Sequence, residues 1–277
     1  MADHFWIGTV STAWGTIGNW SATSGGLTHG TVPTNADNAI FDVADASNCT
    51  TGIADTCLNL TCTGYIGTLT ISATFTIAGD FTAGAGMTLA GVSAITCVGA
   101  WTNHASMTYT YTGAISFTAQ SGTKVITTAG KTWGGNVTIG NATSGTTVFQ
   151  LVDDLIGLSN KILFLLGGTF DRNNKNISFG TFSSTNSNVR RLIPGSGTFT
   201  ITGSTGTLWN ITTSTNFTMD AGTWTLIFDI TSTNLKTMQS GGLTYNDIQL
   251  TGSSTGGVAI AGGPTLRDIL VDTPPKT

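Results

Sequence analysis

Gly67-Thr68-Leu69-Thr70-Ile71 is the stretch on which the fold turns. Leu69 and Ile71 alternate with Thr68 and Thr70. A period of two puts alternate side chains on opposite faces of a strand, one apolar and one hydroxylated. Threonine is β-branched and suits that geometry. The same form returns at Gly197-Thr198-Phe199-Thr200-Ile201 and Gly222-Thr223-Trp224-Thr225-Leu226. Weaker copies are Met87-Thr88-Leu89, Gly113-Ala114-Ile115-Ser116-Phe117 and Asn136-Val137-Thr138-Ile139. Turn signals such as Ala83-Gly84-Ala85-Gly86, Asn141-Ala142-Thr143-Ser144-Gly145 and Gly203-Ser204-Thr205-Gly206 separate them.

Self-similar strands favour one architecture. In a solenoid each strand stacks on its own copy, whereas a sandwich has no need of copies. The reading is an all-β chain forming a β-solenoid of stacked parallel strands, like a parallel β-helix; a β-sandwich is the alternative. At roughly 20–25 residues per turn, residues 46–277 make about ten turns. Aligned Thr and Asn side chains suit such stacks because they hydrogen-bond from turn to turn. Leu151 to Leu166 is the stretch closest to a helix, but Gly157 and Ser159-Asn160-Lys161 interrupt it. It reads as two strands and a turn, with a short helix as the alternative.

Composition agrees. Charged residues are only 9% of the 277, against about 25% in an ordinary soluble domain. The sequence has no Glu, so all 14 acidic residues are Asp. Glu is a good helix former and Asp a poor one. The 37 Gly supply turns.

Residues 1–45 differ from the rest of the chain. They carry Trp6, Trp14 and Trp20 with Phe5 and Phe41. They read as an aromatic cap or docking segment ahead of a repetitive domain over 46–277, with Trp6, Trp14, Trp20 and Phe41 as its candidate contacts. Residues 1–123 contain six Asp and no Lys or Arg. Such an acidic end would suit docking on a basic partner, though drift in a charge-poor sequence explains it as well. The net charge of −4 and the absence of a basic cluster argue against nucleic-acid binding. Cys49, Cys57, Cys62 and Cys97 lack zinc-site spacing. They read as buried strand residues, with Cys49–Cys57 or Cys62–Cys97 as possible disulfides.

Motifs for chemistry are sparse. His4, His29 and His104 are scattered, and no metalloprotease, serine-hydrolase or phosphate-loop pattern occurs. No cofactor is expected. Asp153, Asp154, Asp171 and Asp229 are the carboxylates that acid–base cleavage of a polysaccharide would need. Asp37, Asp42 and Asp45 are the candidates for a calcium site. Trp101 and Trp133 are candidate sugar-stacking residues. Trp209 and Trp224 lie in the apolar phase of their strands and read as core. No run of 18 apolar residues spans a membrane. The start lacks the basic and apolar regions of a signal peptide. With its initiator Met, that suggests a particle protein released by lysis.

The opening carries a resemblance. Phe5-Trp6-Ile7-Gly8, Gly18-Asn19-Trp20-Ser21, Ser24-Gly25-Gly26, Val32-Pro33-Thr34 and Ala36-Asp37-Asn38-Ala39-Ile40-Phe41-Asp42 resemble a group of repetitive phage structural and bacterial surface proteins. Ser121 to Thr128 and Gly241 to Ile248 are similar to that group too. The resemblance implies an extracellular or virion β-solenoid and supplies no catalytic residues. The expected function is a non-enzymatic structural protein of a phage virion exterior: a capsid decoration protein, head fibre or tail fibre. Its expected partners are other virion proteins and its own copies, as a homotrimer, on the virion surface. The alternatives are a secreted or cell-surface adhesin that binds host glycans, and a polysaccharide depolymerase. Pro274-Pro275, near the end, would block a further strand.

Overall fold

The computed structural model describes residues 1–253 and 256–271. Pro274-Pro275, expected to stop the stack, lie outside the described residues. The chain is a β-solenoid of parallel strands. Its contacts divide it into two compact units: 1–119 with 124–135, and 120–123 with 136 onward.

In the N-terminal unit each turn gives one strand to each of three sheets. The first sheet runs through Asn38–Ile40, Leu60–Thr61, Phe81–Thr82 and Trp101–Thr102, then pairs Trp101 with Ile126. The second contains Cys49–Thr50, Thr68–Ile71, Thr88–Gly91 and Thr108–Tyr109. The third contains Thr56–Cys57, Phe75–Ile77, Ile95–Cys97 and Ile115–Phe117. The register holds without slip, so Thr68, Thr88 and Thr108 align, as do Phe75, Ile95 and Ile115. A one-residue slip would turn every apolar side chain outward.

The core is what the alternation predicts. Leu69 and Ile71 are fully buried, and Thr68 and Thr70 are half-buried. Burying one such side chain stabilises by about 1.5–3 kcal/mol. Between strands, polar side chains close the ladder. Asn38 donates to Asp3, and Asn59 donates to Asn38. Asn59 Oδ1 then accepts the Asp80 amide at 2.8 Å, and Asp80 Oδ1 accepts the Ala100 amide at 2.8 Å. Each satisfies a backbone or amide group that a tight turn would otherwise orphan.

Two corners share one device. Tyr65 Oη shares its one proton between the Ser47 and Thr68 carbonyls, and Tyr111 Oη between those of Ser93 and Ala114. The next residue but one is glycine each time. A Cβ on Gly67 or Gly113 would sit 2.4 Å from the tyrosine oxygen. The four cysteines are free and buried, which sets aside both disulfide pairings. Burial pushes the Cys97 thiol up to about 12, leaving it protonated and unreactive.

Trypsin needs Lys or Arg. Digestion of the denatured chain is expected to give one N-terminal fragment ending at Lys124, seen by mass spectrometry; any shorter N-terminal tryptic product would contradict the sequence reading.

The C-terminal unit also begins with three strands per turn. Val148–Leu151, Gly168–Asp171, Arg190–Ile193 and Phe217–Met219 form one sheet. Leu155–Gly157, Ile177–Phe179, Thr198–Ile201, Thr225–Asp229, Thr244–Thr251 and Thr265–Val271 form another. Val137–Ile139, Ile162–Leu165, Thr181–Ser183, Thr207–Asn210, Lys236–Gln239 and Val258–Ala261 form a third. Leu155–Gly157 and Ile162–Leu165 are the two strands expected in Leu151 to Leu166, and the Lys161 amide closes their turn on the Leu158 carbonyl at 3.0 Å. The copy at Gly222 to Leu226 starts later than its pattern suggests, with the strand beginning at Thr225.

Among the described residues the first of these sheets ends at Met219, and the later turns alternate between the other two. Sequence spacing also loosens. Ile177 pairs with Phe199, and Phe199 with Leu226, so turns gain residues in their corners rather than in their strands.

Candidate functional site

The N-terminal segment is built from its aromatic residues outward. Asp3–Trp6 pairs antiparallel with Trp20–Ser21 and parallel with Asn38–Ile40. Ala13 bridges to Thr50, extending the second sheet. The segment therefore lies along the starting edges of two sheets, which would otherwise be open to pairing. Asn19, fully buried, pins the intervening loop. Its Oδ1 accepts the Val10 and Ser11 amides at 3.0 Å, and its Nδ2 donates to the Ala13 carbonyl at 2.8 Å and to the Ser11 hydroxyl at 3.0 Å.

Trp6, Trp14, Trp20 and Phe41 meet as one cluster. Ring centroids are 5.2 Å apart for Trp6–Trp20, 4.8 Å for Trp14–Trp20 and 5.5 Å for Trp6–Phe41. Trp14 also meets Phe75 edge-on at 4.9 Å, which ties the cluster to the turns behind it. All four are essentially buried. Their rings pack on one another, so they do not present the docking surface expected of residues 1–45. Anything that docks there meets the outside of the segment, where Val10, Ile17, Leu27 and Val43 are exposed among polar residues.

Trp101 and Trp133 are corrected in the same way. They are 0% and 1% exposed. Trp101 packs on Phe81 at 4.2 Å, and its Nε1 donates to Asn103. Trp133 stacks on Tyr109. Neither leaves a ring face for a sugar.

The candidate carboxylates Asp37, Asp42, Asp45, Asp154 and Asp171 are held by separate groups. Asp37 accepts the Ala2 amide and the Thr34 hydroxyl, Asp42 the Ala44 amide, and Asp45 the Ser47 amide. Asp154 braces Asn176 one turn on, and Asp171 accepts from Gln150. Asp42 and Asp45 serve their own turns, and Asp154 and Asp171 tie one turn to the next. Among the described residues no three His, Cys, Asp or Glu are placed to hold a metal ion.

Two features escape sequence reasoning. The first is a histidine pair. His29 Nε2 lies 2.9 Å from His4 Nδ1, Thr31 Oγ1 lies 3.2 Å from His29 Nδ1, and His4 Nε2 faces Asp37 at 3.9 Å. The second is a pair of buried arginines. Arg172 Nη2 donates to the carbonyls of Lys175 and Thr198. Its guanidinium lies 5.6 Å from the Phe199 ring centre and 5.8 Å from that of Trp224. Arg190 donates to the carbonyls of Asn188, Ser184, Thr213 and Thr215. Each pins one turn to the next. Burial lowers Arg172 to about 10, so it stays charged at neutral pH.

A cleft of about 290 Å³ opens where the sheet ends at Met219. Asp220, Trp224, Tyr245 and Arg267 line it. Arg191 neutralises Asp220, and Arg267 pairs with Asp247. Trp224 and Tyr245 are 1% and 0% exposed, so its wall offers no aromatic platform.

No family model, no curated protein and no solved structure matches this chain.

Proposed function

We propose that this chain is a non-enzymatic structural protein of a phage virion exterior, a capsid decoration protein, head fibre or tail fibre, that assembles as a trimer through its uncharged faces. One observation carries the reading. On the third sheet of the N-terminal unit, Thr56, Thr76, Thr96 and Ser116 align in one outward row. On the second sheet, Thr68, Thr88 and Thr108 form another. No charged residue occupies an outward position on the strands of either sheet. A monomer ordinarily keeps a charged surface in water. A self-copy could cover these faces without stranding a charge. The opening's resemblance to phage structural proteins supplies the setting.

The test has two arms. Light scattering should give a mass of three chains, and Thr96→Lys should reduce it to one, since an unpaired charge at a closed interface costs roughly 2–5 kcal/mol. Gold-labelled antibody should decorate intact particles of the source phage. A monomeric protein, or unlabelled particles, would remove the proposal.

A further inference from the structure

We propose that His4 and His29 form an acid-released latch holding the N-terminal segment on the first turns of the stack. His4 lies on the strand Asp3–Trp6, with Ala39 beside it in the next strand. His29 lies in the loop whose amide binds the Trp20 carbonyl at 3.2 Å. Their 2.9 Å contact therefore joins strand to loop across the same structure that buries the tryptophans.

Proton counting gives the mechanism. One set of tautomers satisfies the chain: Thr31 donates to His29 Nδ1, His29 Nε2–H donates to His4 Nδ1, and His4 Nε2–H turns toward Asp37. One added proton can be shared between the rings. A second gives each ring two N–H groups, so two donors face each other across the contact. His4 would then carry its charge at 3% exposure. The opposing groups are few. Asp37, a hydrogen bond with the Thr31 backbone and Asp3 favour a charge on His4, but Asp37 already accepts from Ala2 and Thr34. Trp20 meets the His4 ring edge-on at 6.4 Å, and no Lys or Arg occurs before residue 124.

Desolvation, and then His29, hold His4 below the ordinary imidazole value of 6.5; Asp37 pulls the other way. A lowered folded value means that the unfolded segment binds more protons than the docked one. The histidine contribution is complete above the unfolded value and is lost as pH falls from there toward the folded value. Acid therefore frees Asp3–Trp6 and uncovers the edge of Asn38–Ile40.

Amide hydrogen exchange on the full chain tests this, with rates corrected for their intrinsic pH dependence. Between neutral pH and about pH 5, protection in 3–6 and 38–40 should fall by on the order of tenfold or more, while 68–97 stays unchanged. His29→Gln keeps a donor to His4 but removes the His29 share of the lowering, so the step should shrink. Equal protection at both pH values, or a step undiminished in His29→Gln, overturns the latch. If His29→Gln is unprotected throughout, imidazole NMR titration of the unaltered chain decides. A second protonation coincident with the loss supports the latch, and a loss uncoupled from either imidazole overturns it.

Discussion

Replacing Arg190 with methionine is expected to destabilise the C-terminal unit by about 3–5 kcal/mol. Methionine fills much of the volume but donates nothing. The buried Ser184 carbonyl and the part-buried carbonyls of Asn188, Thr213 and Thr215 would lose their donor together. Each unsatisfied buried group costs roughly 1–3 kcal/mol. The contact with the Phe217 ring, 5.2 Å away, goes too. Arg191 is the natural control. It is the next residue, its side chain is 49% exposed, and it pairs with Asp220. Arg191→Met should move the midpoint far less, since an exposed ion pair contributes little. Denaturant midpoints of the two variants measure the contrast. Similar midpoints would show that Arg190 is not the corner's tie.

The second large effect is expected at Gly91. Its φ is +115°, and an added Cβ would stand 2.2 Å from the Ile71 carbonyl oxygen and 2.7 Å from the Ile71 nitrogen. Those atoms belong to the adjacent turn, so neither can swing aside. Gly91→Ala should cost about 3 kcal/mol or more, from left-handed backbone strain plus a forced shift of the ladder. Gly122 separates the two causes. It also has positive φ, at +73°, but open space where a Cβ would go. Gly122→Ala should cost only the strain, about 1–2 kcal/mol. Thermal unfolding of both variants checks this, and a cost at Gly91 no larger than at Gly122 would discard the collision.

The strands were legible because their information is local. Leu69 and Ile71 declare a buried face within five residues, and Phe199 and Ile201 do the same. Core assignment of Trp209 and Trp224 came from phase alone. The sites were less legible because their information is not local. His4 and His29 are 25 residues apart and meet only after the chain has turned back. Arg172 and Arg190 have the residue type expected at the surface, and only a corner full of carbonyls makes them interior. Trp101 and Trp133 show the converse: an aromatic in a threonine-rich stretch reads as a platform until its neighbours on adjacent turns are known. The end of a sheet at Met219 leaves no mark, because a corner that omits a strand has the same Gly, Ser and Thr as one that does not.

The unslipped register of the N-terminal unit has a genetic consequence. Thr56 bonds the carbonyl of Thr76, twenty residues on, and the aligned rows repeat at that interval. A coding segment of that length is a self-contained cassette. Duplicating it in tandem adds one strand to each sheet, about 4.8 Å of stack, and presents the same edges to the cassettes before and after it. Length in this unit is thus a heritable count, which tandem duplication can raise while the strand register is kept.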